Sequence, residues 1–179
     1  MKKLMILAAL FGAAFTLHAQ KSKNGKSSAL PAVSTAAALP YVATYSTQLH
    51  PGNAAYGIVV LNAWKDYDDN AIERSESIFT DNLQLHTSDG KVFSGKEDAI
   101  RSIKDFRARF AKTASSVATW TVFKSTEHPD EQMVAIWGSE TDTYADGKVE
   151  KFNIHELWYF NSEGKVFMIR TFLQKVPAN

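Results

Sequence analysis

After Thr113 the chain changes period, and that change limits its possible folds more than any other feature. Residues 117–126, 132–144, 149–160 and 165–175 alternate apolar and polar side chains and are rich in Val, Ile, Thr and aromatic residues. Side chains of a strand point alternately to opposite faces, so a period of two reads as strand. Turn formers separate the four runs: His128-Pro129-Asp130, Asp146-Gly147 and Ser162-Glu163-Gly164. Four strands joined by such turns make an antiparallel meander, and one of its faces needs a cover.

The preceding residues supply the cover. Ile58, Leu61, Trp64 and Tyr67 recur at helical spacing with Val60 alongside, which predicts a helix over 53–67 begun at Gly52-Asn53. Asp68-Asp69-Asn70 breaks it, and a second short helix runs through Phe79. Residues 83–87 alternate as a strand, Asp89-Gly90 turns, and 91–94 forms a short second run. Gly95-Lys96-Glu97 opens a third helix with the stripe Ile100, Ile103, Phe106 and Phe110. The element order α-α-β-β-α-β-β-β-β is an α+β pattern in which the helices cover one face of the sheet.

The first residues read differently. Lys2 and Lys3 precede an apolar and small-residue run over 4–15, and Leu17-His18-Ala19 has the spacing of a cleavage site. This pattern predicts a cleavable secretory signal over 1–19 and a periplasmic or secreted mature chain. The run is shorter than the roughly 20 apolar residues of a membrane span, so no membrane insertion of the mature chain is expected. Residues 20–50, rich in Lys, Ser, Ala, Thr and Pro, read as a disordered spacer, and the folded domain as 51–179. The chain has no cysteine, which excludes a lipid-bearing Cys, disulfides and a thiol nucleophile. Its net charge of +1 gives no reason to expect nucleic acid as a partner.

Four phrases in this order carry a resemblance. They are Ala63-Trp64-Lys65-Asp66-Tyr67-Asp68, Ile78-Phe79-Thr80-Asp81-Asn82, Ser94-Gly95-Lys96-Glu97-Asp98-Ala99-Ile100, and His155-Glu156-Leu157-Trp158-Tyr159-Phe160 leading to Gly164-Lys165-Val166. Over residues 53–176 the chain resembles the SnoaL-like branch of the nuclear transport factor 2-like superfamily. The resemblance implies a cone-shaped sheet enclosing a pocket open at one end. Members include isomerases, cyclases, dehydratases and epoxide hydrolases, along with non-enzymatic binding domains, so fold alone does not decide function. Where catalytic relatives carry an acid, this chain has Thr87 at the end of the first strand and Gln174 in the last.

Turn lengths set register, and register sets faces. A three-residue loop pairing Asn161 with Lys165 places Glu156 opposite Arg170 and Trp158 opposite Met168. A two-residue turn at Asp146-Gly147 places Trp137 opposite Glu156. The inner face then carries Trp137, Phe152, Ile154, Glu156, Trp158, Phe160, Val166, Met168, Arg170 and Phe172. The outer face carries Glu140, Asp142, Lys151, Asn153, His155, Leu157, Tyr159, Phe167 and Ile169, with an apolar end suited to a homodimer surface. Glu156 and Arg170 are either a polar anchor or a buried ion pair that closes the sheet. Trp64, Thr87, Phe106, Trp120, Trp137, Trp158 and Gln174 are the expected pocket, and the Tyr67 hydroxyl is a donor to a ligand oxygen.

Three readings follow: a domain that holds a small apolar or aromatic molecule, an isomerase, cyclase or hydratase with Glu156 as base and Tyr67 or Arg170 as oxyanion stabiliser, and a dimerising module with an incidental cavity. His86, His128 and His155 lack metal-ligand spacing, and neither metal nor cofactor is expected. There is no Ser-His-Asp order or phosphate loop.

Overall fold

The computed structural model describes residues 40–177. The segment read as an export signal and the first part of the stretch read as spacer lie outside them. The elements are β1 (Leu49–Pro51), α1 (Ala55–Asp68), a 3-10 helix (Ile72–Ile78), β2 (Phe79–His86), β3 (Val92–Ser94), α2 (Lys96–Arg107), β4 (Lys112–Ser125), β5 (Gln132–Thr143), β6 (Val149–Phe160) and β7 (Val166–Lys175). The seven strands form one sheet in the order β1-β4-β5-β6-β7-β2-β3. The β2–β7 pair is parallel and every other pair antiparallel. The expected order of helices and strands holds, and β1 is an addition across the boundary between the stretch read as spacer and the domain. Three exposed residues carry no period, so β1 leaves no sequence signal. It is held by pairing with β4 and by Glu127, whose carboxylate accepts from Ser46, from the Thr47 hydroxyl and from the Thr47 backbone N–H.

Helix α1 lies against the concave face and buries Gly57, Val60, Ala63 and Trp64. This stripe is rotated from the expected one, and Ile58 is exposed. Asn70, with φ of 56°, ends the helix in the left-handed conformation that asparagine tolerates. The core joins this helix to Leu83, Leu85, Val134, Ile136, Ile154, Phe160, Val166 and Ile169 from the sheet.

Two register details overturn part of the expected face assignment. The β5–β6 hairpin closes with the Tyr144 N–H donating to the Lys148 carbonyl at 2.8 Å, and Gly147 takes a φ of 86°. Three residues therefore span the turn instead of two. Trp137 falls opposite His155, and Ile136 falls opposite Glu156. Every β5 side chain changes face relative to expectation, so Trp137 points outward while Glu140 and Asp142 point inward. The β6–β7 loop closes as expected, with Phe160 opposite Val166. A bulge then shifts the register, so Tyr159 meets Met168, Glu156 meets Thr171 and Leu157 meets Arg170. One extra residue on β7 re-aims all that follow it. Ile169, Thr171 and Leu173 face the interior, whereas Met168, Arg170 and Phe172 share the other parity. The expected Glu156–Arg170 pair does not exist.

Candidate functional site: an apolar cavity with an acidic floor

Between the helices and the concave sheet is a cavity of about 330 Å³. Its walls are apolar, with Phe79, Leu85, Ile103, Phe106, Ile154 and Leu173 among them. Thr87, Ser88, Asp89 and Lys91 stand at the β2–β3 turn end of the lining, and Lys91 is ion-paired to Asp89 at 2.6 Å. A concave, mostly apolar space with a few placed polar groups is the usual form of a small-molecule site.

Glu156 is the polar group held there by three hydrogen bonds. Trp64 Nε1–H donates to its Oε2 at 2.7 Å and Trp158 Nε1–H to the same oxygen at 2.8 Å. Thr171 Oγ1 donates to its Oε1 at 2.8 Å. Burial raises the Glu156 pKa, and the three donors oppose that rise by favouring the carboxylate. The two indoles thus serve twice, as apolar wall and as hydrogen-bond donors to the one acid between them. Gly138 makes room for this arrangement. A Cβ there would lie 2.4 Å from the Ser116 carbonyl oxygen and 3.0 Å from the Trp64 ring.

A second acidic group lies on β5. Glu140 lines the cavity, and Asp142 beside it is fully buried. Asp142 Oδ1 accepts from Thr113 Oγ1 at 2.7 Å. Burial comes first in pushing the Glu140 carboxyl far above its ordinary range, followed by the charge of Asp142 and a hydrogen bond to it. Glu140 therefore holds a proton that it offers to Asp142. Nearby, Asp68 accepts from both the N–H and the hydroxyl of Ser115, at 2.9 and 2.8 Å. The Tyr67 hydroxyl is also raised, chiefly by burial and then by the charges of Glu140 and Asp142. It stays protonated and able to donate.

Of the residues singled out in the sequence, Trp64, Tyr67, Thr87, Phe106, Glu156 and Trp158 line this cavity together. Four do not. Arg170 is exposed on the convex face, where it lies beside His86. Trp137 is 38% exposed and stacks on His155, with ring centroids 4.7 Å apart. Trp120 packs on α1 at Gly57 instead of on the cavity. Gln174 is exposed and accepts from Asn153 Nδ2 at 3.5 Å.

Thr171 was hidden by the β7 bulge, and Glu140 and Asp142 by an ambiguity of parity on β5. The run Met133-Val134-Ala135-Ile136 is apolar at both parities and buried throughout. It gives no hint of which parity faces in, so the β5 assignment rests on a turn length alone. The available signal was the parity shared by Val134, Ile136, Glu140 and Asp142. Outweighing it were the size of Trp137 and the charge of the two acids.

No model of a protein family matches the chain, and no curated protein matches it. Solved structures do. A hexachlorocyclohexane dehydrochlorinase, LinA type 2, aligns with a TM-score of 0.59 at 10% identity, over 70% of this chain and 89% of that one. The epoxide hydrolase/cyclase-like enzyme SalBIII of pyran ring formation in polyether salinomycin aligns at 0.52 and 13%, over 67% and 91%. An NTF2-like protein from Exiguobacterium sp. 255-15 aligns at 0.52 and 15%, over 65% and 98%. These likenesses are of fold, and the proteins that share it differ in activity. The described domain has the cone-shaped α+β fold of the nuclear transport factor 2-like superfamily.

Proposed function

We propose that this domain holds a small, largely apolar or aromatic molecule in its cavity without transforming it. The observation that carries this reading is the state of Glu156. Both of its oxygens already accept hydrogen bonds, three in all, from Trp64, Trp158 and Thr171. A general base needs a lone pair within reach of the substrate proton. A carboxylate held by two indoles and a hydroxyl is instead suited to fixing the shape of a binding wall. The competing reading, an isomerase, cyclase or hydratase with Glu156 as base, loses Arg170 to the convex face as an oxyanion stabiliser and keeps only Tyr67 in the cavity for that role.

The test uses 2-naphthylmethanol, a neutral two-ring aromatic, titrated into the purified protein by calorimetry. Burying on the order of 250 Å² of apolar surface is worth about 6 kcal/mol. The cost of association takes back part of this, so the expected Kd is no tighter than about 40 µM. Ser102→Phe, which adds a ring to the lining from α2, should weaken it by about tenfold. Absence of saturable binding, or recovery of a chemically altered molecule, overturns the reading.

A further inference from the structure

One wall of the cavity is a single side chain thick. On the outside of the domain a groove runs between α1 and the 3-10 helix, lined by Asn62 and Asp66 from the first and by Arg74, Ser75 and Ile78 from the second. On the inside, the same two elements line the cavity with Ala63 and Tyr67 and with Ile72 and Ser75. Ser75 belongs to both linings, so its hydroxymethyl group is what divides groove from cavity.

This wall is fastened to α1 by side chains. Ser75 is 7% exposed, and its hydroxyl donates to the Asp66 carboxylate across the gap. Arg74 reaches Asp66 at 3.8 Å and Asp69 at 3.7 Å, as an exposed ion pair of little worth. The far side is tied differently. Lys104 of α2 pairs with Glu76 at 2.6 Å, and Lys165 donates to the Ser77 carbonyl at 2.5 Å. The 3-10 helix is also weak in itself. Its seven residues exceed the roughly three or four that such a helix usually sustains, because its hydrogen bonds are poorly aligned. No side chain caps its N-terminus. Asn70, with φ of 56°, and Ala71, with φ of −128° and ψ of 42°, turn the chain into it and form a natural hinge. A segment hinged there and tied to α2 and the β6–β7 loop can swing only on the side facing α1. The rim at the β2–β3 turn has no such freedom. The Thr87 N–H donates to the Lys91 carbonyl at 3.0 Å, and Asp89 holds both side chains.

We propose that the 3-10 helix is a flap, and that the apolar molecule enters and leaves the cavity between it and α1 when Ser75 lets go of Asp66. This rests on the cavity reading above and adds the route to it. The latch is one hydrogen bond to a carboxylate, so its loss changes how often the flap opens and not what the closed cavity holds.

Two measurements test this. Amide hydrogen exchange of the free protein should be at least about tenfold faster over residues 72–78 than over α1 and α2. Ser75→Ala should quicken it by about tenfold more, the value of the lost bond. Stopped-flow mixing with 2-naphthylmethanol, followed by tryptophan fluorescence, gives the association and dissociation rates. Ser75→Ala should raise both by that same factor and leave Kd unchanged. Asn62→Trp, which fills the groove from an exposed position of α1, should slow both about fivefold by covering the closed flap. Exchange over 72–78 as slow as in α1, or rates that ignore both substitutions, overturns the flap and leaves the cavity reading standing. A changed Kd at an unchanged association rate makes Ser75 a ligand contact and overturns the flap too. Failure of the probe to bind overturns the cavity reading and the route with it, a result distinct from rapid binding that ignores both substitutions.

Discussion

Single side chains in this domain are seated by what their neighbours lack. Trp64 reaches Glu156 because position 138 has no Cβ, and Trp120 lies flat on α1 because position 57 has none. At Gly57 an added Cβ would stand 2.2 Å from the Trp120 ring, far inside van der Waals contact. Two effects then compete in Gly57→Ala. Alanine gains about 1 kcal/mol of helix propensity over glycine. Forcing a methyl group against an indole clamped between helix and sheet costs about 1–3 kcal/mol. The clash wins, because Trp120 sits in the run Thr119–Lys124 that pairs without interruption with β5 and cannot retreat. We expect Gly57→Ala to lower the urea midpoint at unchanged m-value, with a net loss of up to about 2 kcal/mol. A higher midpoint would mean that Trp120 swings aside freely.

Elements are joined by contacts of the same economy. The last turn of α2 is locked to the end of α1 by Arg107, which is 5% exposed and satisfies three carbonyls, two of them in α1. Helix ends leave carbonyls without partners, and here one side chain serves as the missing donors. Arg107→Met keeps the length of the side chain and removes every donor. It should cost about 3 kcal/mol, since hydrogen bonds from a charged group are each worth about 1.5–3 kcal/mol and the freed carbonyls can regain some water. Because Tyr67 stands on the same turn, the variant should also bind cavity ligands less well. Chemical denaturation and titration of one sample measure both effects. Arg107 gave no sequence signal, since an Arg near a helix end reads as surface charge. The element order was legible because period and turn residues are local properties. The cavity was half legible, because β6 has a clean alternation in which Phe152, Ile154, Glu156, Trp158 and Phe160 share a parity. The β5 and β7 contributions were not. A turn one residue longer and a bulge one residue wide each reverse a whole strand, and neither leaves a mark in composition.

For the molecule as a whole, its acids fall into two populations with opposite responses to pH. On the surface, Glu150 is held down to about 2 by Lys175, Lys148 and Tyr144, and Asp89 to about 2 by Lys91 and Thr87. Glu127 is likewise lowered, by Ser46 and Thr47. A carboxyl lowered in the folded state contributes stability above its unfolded value and loses it as pH falls through the folded value. These groups weaken the fold only below about pH 4.5. Inside, Glu140 and Glu156 are raised, both chiefly by burial. A raised carboxyl holds its proton in the folded state after the unfolded chain has released it. Its penalty is absent below the ordinary value of 4.5 and grows as pH rises toward the folded value. The groups facing Glu140 reinforce this: Asp142, Glu156 and Asp68 are acids, Tyr67 is a raised phenol, and Arg107 is committed to carbonyls. Stability should therefore peak near pH 5 and decline through neutrality toward pH 9, where many domains are flat. For a domain of this size each kcal/mol appears as roughly 4 °C in Tm. Thermal melts from pH 4 to 9 should show that decline, and Glu140→Gln should flatten its alkaline side while leaving the acid side in place. A Tm that rises from pH 5 to 8 in the parent protein would mean that Glu140 is ionised in the fold and that an unseen cation balances it.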